Sequence, residues 1–336
     1  MSEGILRRDP LNKIWVVFAP EKVKTLISKS SENDAKFDVD PFIPGSESAT
    51  GPDIMRTSNP LYSIGGWSSR VFPAKNPILK VENDKNSRGD GIYDLMSRLG
   101  AHEVVVETPK KEISFDQLSV EEISDSIKII FNRISDLRQD IRFRYISVVK
   151  NRGSAAGGTI NHNYSEIKAY PFVPPFVQAK INNCIDYYRI KERCLLCDII
   201  DQELADRKRI VCENDNFVTI CPYASRFPFE MMILPKKHGR ILSSDSEITI
   251  TDFAKIIKTT LSKLRIALNS PAYNAIFNYL PVNSGENTGI ESSAYHWHMV
   301  IVPRITVINA DNFENGIFIN PTLPEDAAEF LRNTKE

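Results

Sequence analysis

The chain has almost no net charge and no long uninterrupted apolar run. It has 336 residues, of which 42 are basic and 43 are acidic, giving a formal net charge of -1. This balance lacks the positive field that binding to a nucleic-acid backbone or an anionic membrane surface requires. No apolar stretch has the length of a bilayer span, and the first residues lack the apolar core of a signal peptide. The sequence predicts a cytoplasmic protein that binds neither nucleic acid nor a membrane.

Cysteine is also scarce, with five residues in the chain. An odd number of cysteines without a secretion signal argues against a disulfide framework and favours free thiols or metal ligands. We predict that Cys184, Cys212 and Cys221 are packing residues.

The two halves of the chain follow one plan of β-like runs, an amphipathic helix, another β-like run, a polar turn and a strand with histidine. A helix is predicted over residues 119–137, where Ser119 and Glu122 have the spacing of a capping box, and another over residues 252–268. Links between strands are often too short for parallel crossovers, which favours antiparallel pairing. We predict a duplicated α+β fold of antiparallel sheets with helices packed on them. The boundary is expected at residues 171–175, with domains at 1–175 and 176–336.

The strongest chemical signal is the pair Cys194 and Cys197 in a Cys-x-x-Cys motif. Two thiolates at this spacing can face one tetrahedral Zn²⁺, and His238 and His296 would complete a closed, structural site. The alternative is a pair of buried reduced cysteines. His298 lies two residues after His296 and so on the same strand face, where it either lines a cleft or is half-buried and hydrogen-bonded.

A glycine-rich turn precedes a histidine in the first half. Gly153, Gly157 and Gly158 allow a backbone path on which several amides converge, and Asn151 and Thr159 can add side-chain donors. This pattern suits a polyphosphate. The alternative is an ordinary loop between two strands.

His162, Tyr164 and Glu166 follow this turn at alternate positions. A His-x-His-x-Gln motif here would provide a histidine to attack phosphorus and a neutral amide to steady the developing charge. Tyr164 stands where the second histidine belongs, and only about 0.1% of an unperturbed tyrosine is ionised at neutral pH. A cation such as Arg152 would favour ionisation of Tyr164. Glu166 would repel phosphate oxygens unless Arg152 or Lys168 compensates its charge.

Together these residues resemble the galactose-1-phosphate uridylyltransferase family of the histidine-triad superfamily, and more closely its ADP-glucose phosphorylase-like branch. The resemblance covers nearly the whole chain, through residues 6–18, 101–109, the glycine turn, 228–238, 296–298 and 318–326. It implies two tandem histidine-triad-like domains and a nucleotidyltransferase of carbohydrate metabolism that acts on a nucleotide sugar, a nucleotide or a sugar phosphate. In such families a histidine takes the nucleotide and passes it to the acceptor. A homodimer is expected because members of the family usually pair.

The resemblance also assigns roles to residues of this chain. It places the nucleophile at Tyr164 and the phosphate-bonding amide at Glu166, which are therefore the candidate catalytic residues. In the first half His162 corresponds to a zinc ligand, but the family's two cysteines correspond to positions in 40–43, which leaves His102 and His162 with at most Asp40. We predict that this first zinc site is lost. The candidate phosphate- or nucleotide-binding residues are Asn151, Gly157, Gly158, Thr159 and His162, and the candidate zinc ligands of the second half are Cys194, Cys197, His238 and His296.

Three functional hypotheses follow. The first is an enzyme that acts on a nucleotide sugar or sugar phosphate by a modified route, with Tyr164 as a nucleophile or as a group that orients the acceptor. The second is a binding protein that keeps the cleft and has lost transfer, since the nucleoside segment at residues 69–79 also departs from the family, at Ala74 and Asn76. The third places the chemistry at His298, beside a shorter turn at residues 283–288.

Overall fold

The structure is a computed structural model that describes residues 5–8, 15–18, 40–239, 247–283 and 289–335. Parts of the predicted segments at residues 6–18 and 29–60, and most of the turn at residues 283–288, lie outside the described residues. The strands are β1 (Ile5–Arg8), β2 (Trp15–Phe18), β3 (Met55–Thr57), β4 (Ser69–Pro73), β5 (Arg88–Asp90), β6 (Tyr93–Leu95), β7 (Ala101–Val106), β8 (Tyr145–Arg152), β9 (Tyr164–Tyr170), β10 (Ile210–Glu213), β11 (Phe217–Ile220), β12 (Met231–Pro235), β13 (Tyr273–Asn278), β14 (His298–Pro303) and β15 (Phe318–Asn320). The α-helices are α1 (Val120–Leu137), α2 (Pro175–Lys191), α3 (Leu195–Asp206), α4 (Glu247–Ala267), α5 (Ile290–Ala294) and α6 (Pro324–Asn333).

Ten strands form one antiparallel sheet in the order β3-β4-β7-β9-β8-β13-β14-β12-β11-β10. The two halves repeat the same order. From the outer edge to the centre, the first half contributes β3, β4, β7, β9 and β8, and the second half contributes β10, β11, β12, β14 and β13. In both halves the fifth of these strands along the chain therefore lies between the third and the fourth. The halves join where β8 pairs with β13, from Arg152 opposite Tyr273 to Val148 opposite Phe277. The predicted duplicated α+β fold is confirmed, with the two antiparallel sheets joined edge to edge. The domain boundary after residue 175 stays a prediction.

Helices α1 and α4 cover one face of the central strands. The predicted capping box begins α1, because the Glu122 amide donates to Ser119 Oγ at 3.1 Å and the Ser119 amide donates to Glu122 Oε2 at 2.9 Å. Helix α4 begins at Glu247, five residues before the predicted start. Apolar side chains of both helices meet Val148 and Phe277 in the main core, which removes this face of the sheet from water. No helix among the described residues is long and apolar enough to cross a membrane.

The opposite face of the sheet is covered at its two ends and open at its centre. Helices α2, α3 and α5 cover the second-half strands, and an aromatic cluster that includes Phe42, Trp67 and Tyr164 covers part of the first half. Between them, alternate side chains of β7, β9, β8 and β13 remain half-exposed, and we call this surface the open face. Its residues are His102, Ser147, Val149, Asn151, Glu166, Lys168, Asn274 and Ile276.

Candidate functional site

The glycine turn lies between β8 and β9, beside the open face. Gly153 and Gly157 both have φ of 82°, a left-handed conformation that glycine adopts at little cost. A Cβ on Gly158 would lie 2.6 Å from the carbonyl oxygen of Asn151. The glycines therefore allow the turn to fold tightly back onto the end of β8.

Four amides of this turn already donate hydrogen bonds within the protein. The amides of Ala156 and Gly158 bond to the Gly153 oxygen at 3.1 and 2.9 Å, and that of Gly157 bonds to the Ser154 oxygen at 2.9 Å. The amide of Thr159 donates to the phenol oxygen of Tyr164 at 3.1 Å. This differs from the sequence-based expectation of converging free donors, because the loop turns back on itself. Phosphate binding by Gly157, Gly158 and Thr159 stays a prediction, and amide donation to a phosphate would require these bonds to break.

Tyr164 is buried, with 6% of its surface exposed. Its ring packs edge-on against Phe42, with the ring centroids 5.4 Å apart. Its hydroxyl lies 3.3 Å from Thr159 Oγ1 in addition to the bond from the Thr159 amide. Arg152, which the sequence suggested as an activating cation, donates instead to Asn161 Oδ1 at 2.6 Å. The Tyr164 side chain thus joins the turn to the aromatic cluster.

Both ring nitrogens of His162 have protein partners, and the residue is 3% exposed. Nδ1 lies 2.8 Å from Asp40 Oδ2, and Nε2 donates to the Thr108 carbonyl at 2.7 Å. Burial acts to raise the pKa of Asp40, but the hydrogen bonds from His162 and the Phe42 amide outweigh it, so the pKa lies below its ordinary value. Direct contact between His162 and a phosphate stays a prediction and would require one of these bonds to be exchanged.

Glu166 is the centre of a polar network on the open face. Its Oε1 accepts from His102 Nε2 at 3.1 Å, and its Oε2 accepts from Lys168 at 2.9 Å and from Asn151 at 3.4 Å. The Ile78 amide donates to Nδ1 of His102 at 3.3 Å, which leaves the ring proton on Nε2. The bond from His102, together with Lys168, outweighs burial and lowers the pKa of Glu166 to about 2. Glu166 is therefore an anion at neutral pH.

This network corrects one expectation and decides between the alternatives of another. The sequence left His102 and His162 with Asp40 as remnants of one metal site, but His102 bonds to Glu166 whereas His162 bonds to Asp40. His102 lies on β7 and His162 lies in the loop just before β9, and the two rings face separate partners. The sequence named Arg152 or Lys168 as the cation that offsets Glu166, and the structure shows Lys168 in that place. The loss of the first zinc site stays a prediction.

Asn274 is a member of this site that the sequence analysis missed. Its side-chain amide on β13 donates to Asn151 Oδ1 at 2.7 Å and to the Ala156 carbonyl at 2.8 Å. A second-half strand therefore fixes both the candidate ligand-binding residue Asn151 and the glycine turn. The alternation of polar and apolar residues in 273–278 indicates the strand, but nothing in the sequence pairs Asn274 with Asn151, because the two are 123 positions apart.

The four predicted zinc ligands of the second half lie together, with all their ligand atoms within 4.8 Å of one another. Cys194 is the N-cap of α3 and Cys197 lies in its first turn, where the helix dipole favours thiolates. Nδ1 of His238 and Nδ1 of His296 lie 3.3 and 3.4 Å from Cys197 Sγ. A hydrogen bond from Cys197 lowers the pKa of Cys194 to about 4, and the Cys194 thiolate raises the pKa of Cys197.

This donor set fits Zn²⁺. Two sulfur and two imidazole ligands form a common closed tetrahedral zinc site. His238 Nε2 donates to the Ser292 carbonyl at 3.0 Å, which orients Nδ1 toward the sulfurs as outer-shell bonds do in metal sites. Nε2 of His296 is buried and has no hydrogen-bond partner among the described residues.

His298 is wholly buried beneath the second-half helices and does not line a cleft. Its Nδ1 lies 3.1 Å from the His296 carbonyl, to which it donates, and burial lowers its pKa to about 3. The hypothesis that places the chemistry at His298 therefore lacks an open site. The predicted packing role is confirmed for Cys184 and Cys221, which are buried in the cores, whereas Cys212 is half-exposed and packs at the core edge.

Comparison with known proteins gives the same architecture. Residues 6–248 match the family model described as galactose-1-phosphate uridyl transferase, N-terminal domain, and residues 180–335 match its C-terminal domain. The chain is 29% identical to ADP-glucose phosphorylase of Arabidopsis thaliana over 333 residues, covering 97% of this chain and 92% of that protein. It is also 29% identical to galactose-1-phosphate uridylyltransferase of Thermotoga maritima, covering 79% and 84%.

Among solved structures, the Arabidopsis thaliana ADP-glucose phosphorylase with bound ADP-glucose superposes with a TM-score of 0.84 at 28% identity, covering 99% of each chain. A protein from the same plant described as galt-like gives a TM-score of 0.83 at 28% identity, covering 98% of this chain and 99% of that one. The similarity therefore extends over both halves of the sheet.

Proposed function

Because the chain belongs to the galactose-1-phosphate uridyl transferase family, we propose that it binds a nucleotide sugar on the open face without forming a covalent nucleotidyl-protein intermediate. The observation that carries this proposal is the bond from the Thr159 amide to the hydroxyl of Tyr164. Tyr164 lies on the same face of β9 as Glu166, but its side chain is buried and its oxygen accepts a hydrogen bond from the turn. Attack on phosphorus would require the hydroxyl to leave the turn and the ring to leave its aromatic cluster.

The other candidate groups support the same proposal. A nucleophile or a general base needs a free lone pair within reach of the substrate. The ring nitrogens of His102 and His162 are engaged with protein partners. Glu166 is a weak base, because its pKa is about 2. Nucleotidyl transfer requires a nucleophile, a base and a neutral amide. The corresponding residues of the first-half site are suited to binding a ligand and not to these roles.

The choice of a nucleotide sugar as ligand rests on the relatives. The Arabidopsis thaliana structure that superposes over 99% of this chain carries ADP-glucose. The two curated relatives are named for ADP-glucose and for galactose 1-phosphate. A second candidate function is direct transfer from a bound nucleotide sugar to an acceptor, with no covalent intermediate. It is favoured by the names of these relatives, a phosphorylase and a uridylyltransferase.

We also propose that Cys194, Cys197, His238 and His296 hold one structural Zn²⁺. The ion would cross-link the start of α3 to the segment before β14, and its four protein ligands would leave no open position for catalysis. The domain division at 1–175 and 176–336 is supported by the repeated strand order and by the start of α2 at Pro175. The homodimer and the cytoplasmic location stay predictions.

The test is intact-mass spectrometry of the purified chain after incubation with ADP-glucose and, separately, UDP-glucose, with calorimetric binding measured on the same samples. We expect binding of at least one of the two and no nucleotidyl adduct. A covalent adduct on Tyr164 would overturn the proposal. Release of hexose 1-phosphate with added phosphate, still without an adduct, would establish the second candidate instead.

A further inference from the structure

We propose that Glu166 binds the vicinal diol of a sugar ring and excludes phosphate from its part of the open face. The inference rests on the proposed function, because it names the part of the ligand that lies at this residue. It reverses the expectation for this position, where a neutral amide would bond a phosphate oxygen.

The charge of Glu166 is held in place by its neighbours. His102 donates to one carboxylate oxygen, and Lys168 and Asn151 donate to the other. All three donors stabilise the ionised form of Glu166. Lys168 offsets the net charge of Glu166, but an ionised phosphate oxygen in direct contact with the carboxylate has no proton to donate to it, and the two negatively charged oxygens repel at that distance. Phosphate is therefore disfavoured at Glu166.

The carboxylate still has capacity for hydroxyl donors. An ionised carboxylate offers about four lone-pair positions, and Glu166 accepts three hydrogen bonds, one of them long at 3.4 Å. Its side chain keeps 21% of its surface exposed. Acidic side chains bind ribose hydroxyls in dinucleotide-binding sites by the same chemistry, since each hydroxyl donates to a charged oxygen. One position is left, and exchange of the long bond from Asn151 provides a second, so that each hydroxyl of a vicinal diol has an acceptor on this side chain.

The donors that a phosphate would need nearby are already used. The amides of Ala156, Gly157 and Gly158 bond to carbonyls within the glycine turn, and that of Thr159 bonds to Tyr164. Lys168 is paired with Glu166 itself. Because both the amides and the cation have protein partners, a phosphate at this place would gain few hydrogen bonds to offset the repulsion.

An aromatic pair lies at the end of the same strand. Tyr170 is four residues after Glu166, on the same face of β9, and its ring centroid is 5.6 Å from that of Phe172. Phe172 is 42% exposed. The apolar face of a sugar ring can pack on such rings while its hydroxyls reach polar groups at the edge. At about 3.3 Å per residue, Tyr170 lies about 13 Å along β9 from Glu166, with Lys168 between them, so the aromatic pair would contact a different part of the ligand from the diol at Glu166.

The test compares phosphate-free and diol-free probes on the full-length, zinc-loaded protein. Adenosine and methyl glucoside carry diols without phosphate, and inorganic phosphate carries no diol. Calorimetry measures the affinity for each probe and for ADP-glucose, with phosphate as a competitor. For the wild type we expect binding of at least one diol probe and no displacement of ADP-glucose by phosphate.

Two variants of Glu166 separate charge from geometry. Glu166→Gln is expected to lower the affinity for the diol probe by about tenfold or more, because the variant loses a charge-assisted hydrogen bond. It is also expected to let phosphate compete with ADP-glucose. Glu166→Asp keeps the charge on a shorter side chain. It is therefore expected to lower the affinity for the diol probe, while phosphate still does not compete with ADP-glucose. Glu329→Gln, an exposed position on α6, is the charge-matched control and is expected to leave every affinity unchanged. Thermal denaturation of each variant establishes that it is folded.

Two results would overturn the inference. One is equal competition by phosphate in the wild type and in Glu166→Gln, and the other is an unchanged affinity for the diol probes in Glu166→Gln. Failure of the proposed function is distinguishable from either, because it would show as a covalent adduct or as the absence of ADP-glucose binding. In both of those cases the titrations with adenosine and methyl glucoside still test the role of Glu166. If neither probe binds to the wild type, that role is contradicted.

Discussion

The backbone amide of Thr159 donates to the phenol oxygen of Tyr164 at 3.1 Å, which joins the last part of the glycine turn to the first residue of β9. The family resemblance places a nucleophile at Tyr164. In this chain the residue closes the turn instead, and its ring adds to an aromatic cluster with Phe42. One hydrogen bond therefore engages both the Tyr164 hydroxyl and the Thr159 amide within the protein.

Replacement of Tyr164 by Phe tests this structural role. The variant keeps the ring in the cluster and loses the hydroxyl, so we expect a destabilisation of about 1 kcal/mol, the net contribution of one hydrogen bond. Binding of ADP-glucose should be retained, because the hydroxyl is bonded within the glycine turn. Urea denaturation and calorimetry measure the two effects. A loss of turnover with unchanged binding would show instead that the hydroxyl is chemical.

A double variant, Tyr164→His with Glu166→Gln, restores the pattern His-x-His-x-Gln after the glycine turn. We expect it to form a nucleotidyl adduct with ADP-glucose or UDP-glucose, since it regains an imidazole nucleophile and a neutral amide that does not repel phosphate. Intact-mass spectrometry with peptide mapping detects the adduct. The single variant Tyr164→His is the control and should react far less, because the carboxylate of Glu166 remains. Equal reaction of both variants would show that Glu166 does not exclude phosphate.

Removal of one cysteine should release the proposed zinc ion. Metal analysis of the wild type is expected to show one zinc per chain at the cluster of Cys194, Cys197, His238 and His296. Cys194→Ser should lose the metal and roughly 3 kcal/mol or more of stability, because the site ties α3 to a distant segment. Cys212→Ser, at a half-exposed cysteine outside the cluster, is the matched control. Full zinc content in Cys194→Ser would rule out this ligand set.

The ion pairs of Glu166 predict that the stability of the folded protein decreases at acidic pH. Its pKa is lowered from 4.5 to about 2 in the folded protein, chiefly by the bond from His102. A carboxyl group with a lowered folded pKa stabilises the protein above its unfolded pKa, and this contribution is lost as the pH falls through the folded value. The wild type should therefore have a higher free energy of unfolding than Glu166→Gln, and this difference should be larger at neutral pH than at low pH. The difference should shrink between about pH 4.5 and pH 2, as measured by urea denaturation. A difference that does not change with pH would mean that Glu166 is not held as an anion.

Much of the fold was predictable from local patterns. The capping box at Ser119 sets the start of α1, because the side-chain and backbone groups that form it are three residues apart. Alternation in residues 273–278 gives β13, whose bounds match the prediction, while α4 begins before its predicted start. The clustering of Cys194, Cys197, His238 and His296 was also predictable, since the Cys-x-x-Cys spacing places two sulfurs at one helix start and the chain has only five histidines from which to complete a ligand set.

The sequence by itself determined the antiparallel α+β architecture, the repeat of its two halves and the identity of the residues beside the glycine turn. Only the tertiary structure decided which of those residues meet. His102 and Glu166 are 64 positions apart and Asn151 and Asn274 are 123 apart, and both pairs depend on the register between strands. Periodicity shows which face of a strand a side chain occupies, but register is set by the packing of the whole sheet. The hydrogen bond between Thr159 and Tyr164 depends in the same way on how the turn folds back, which the glycines permit and do not specify.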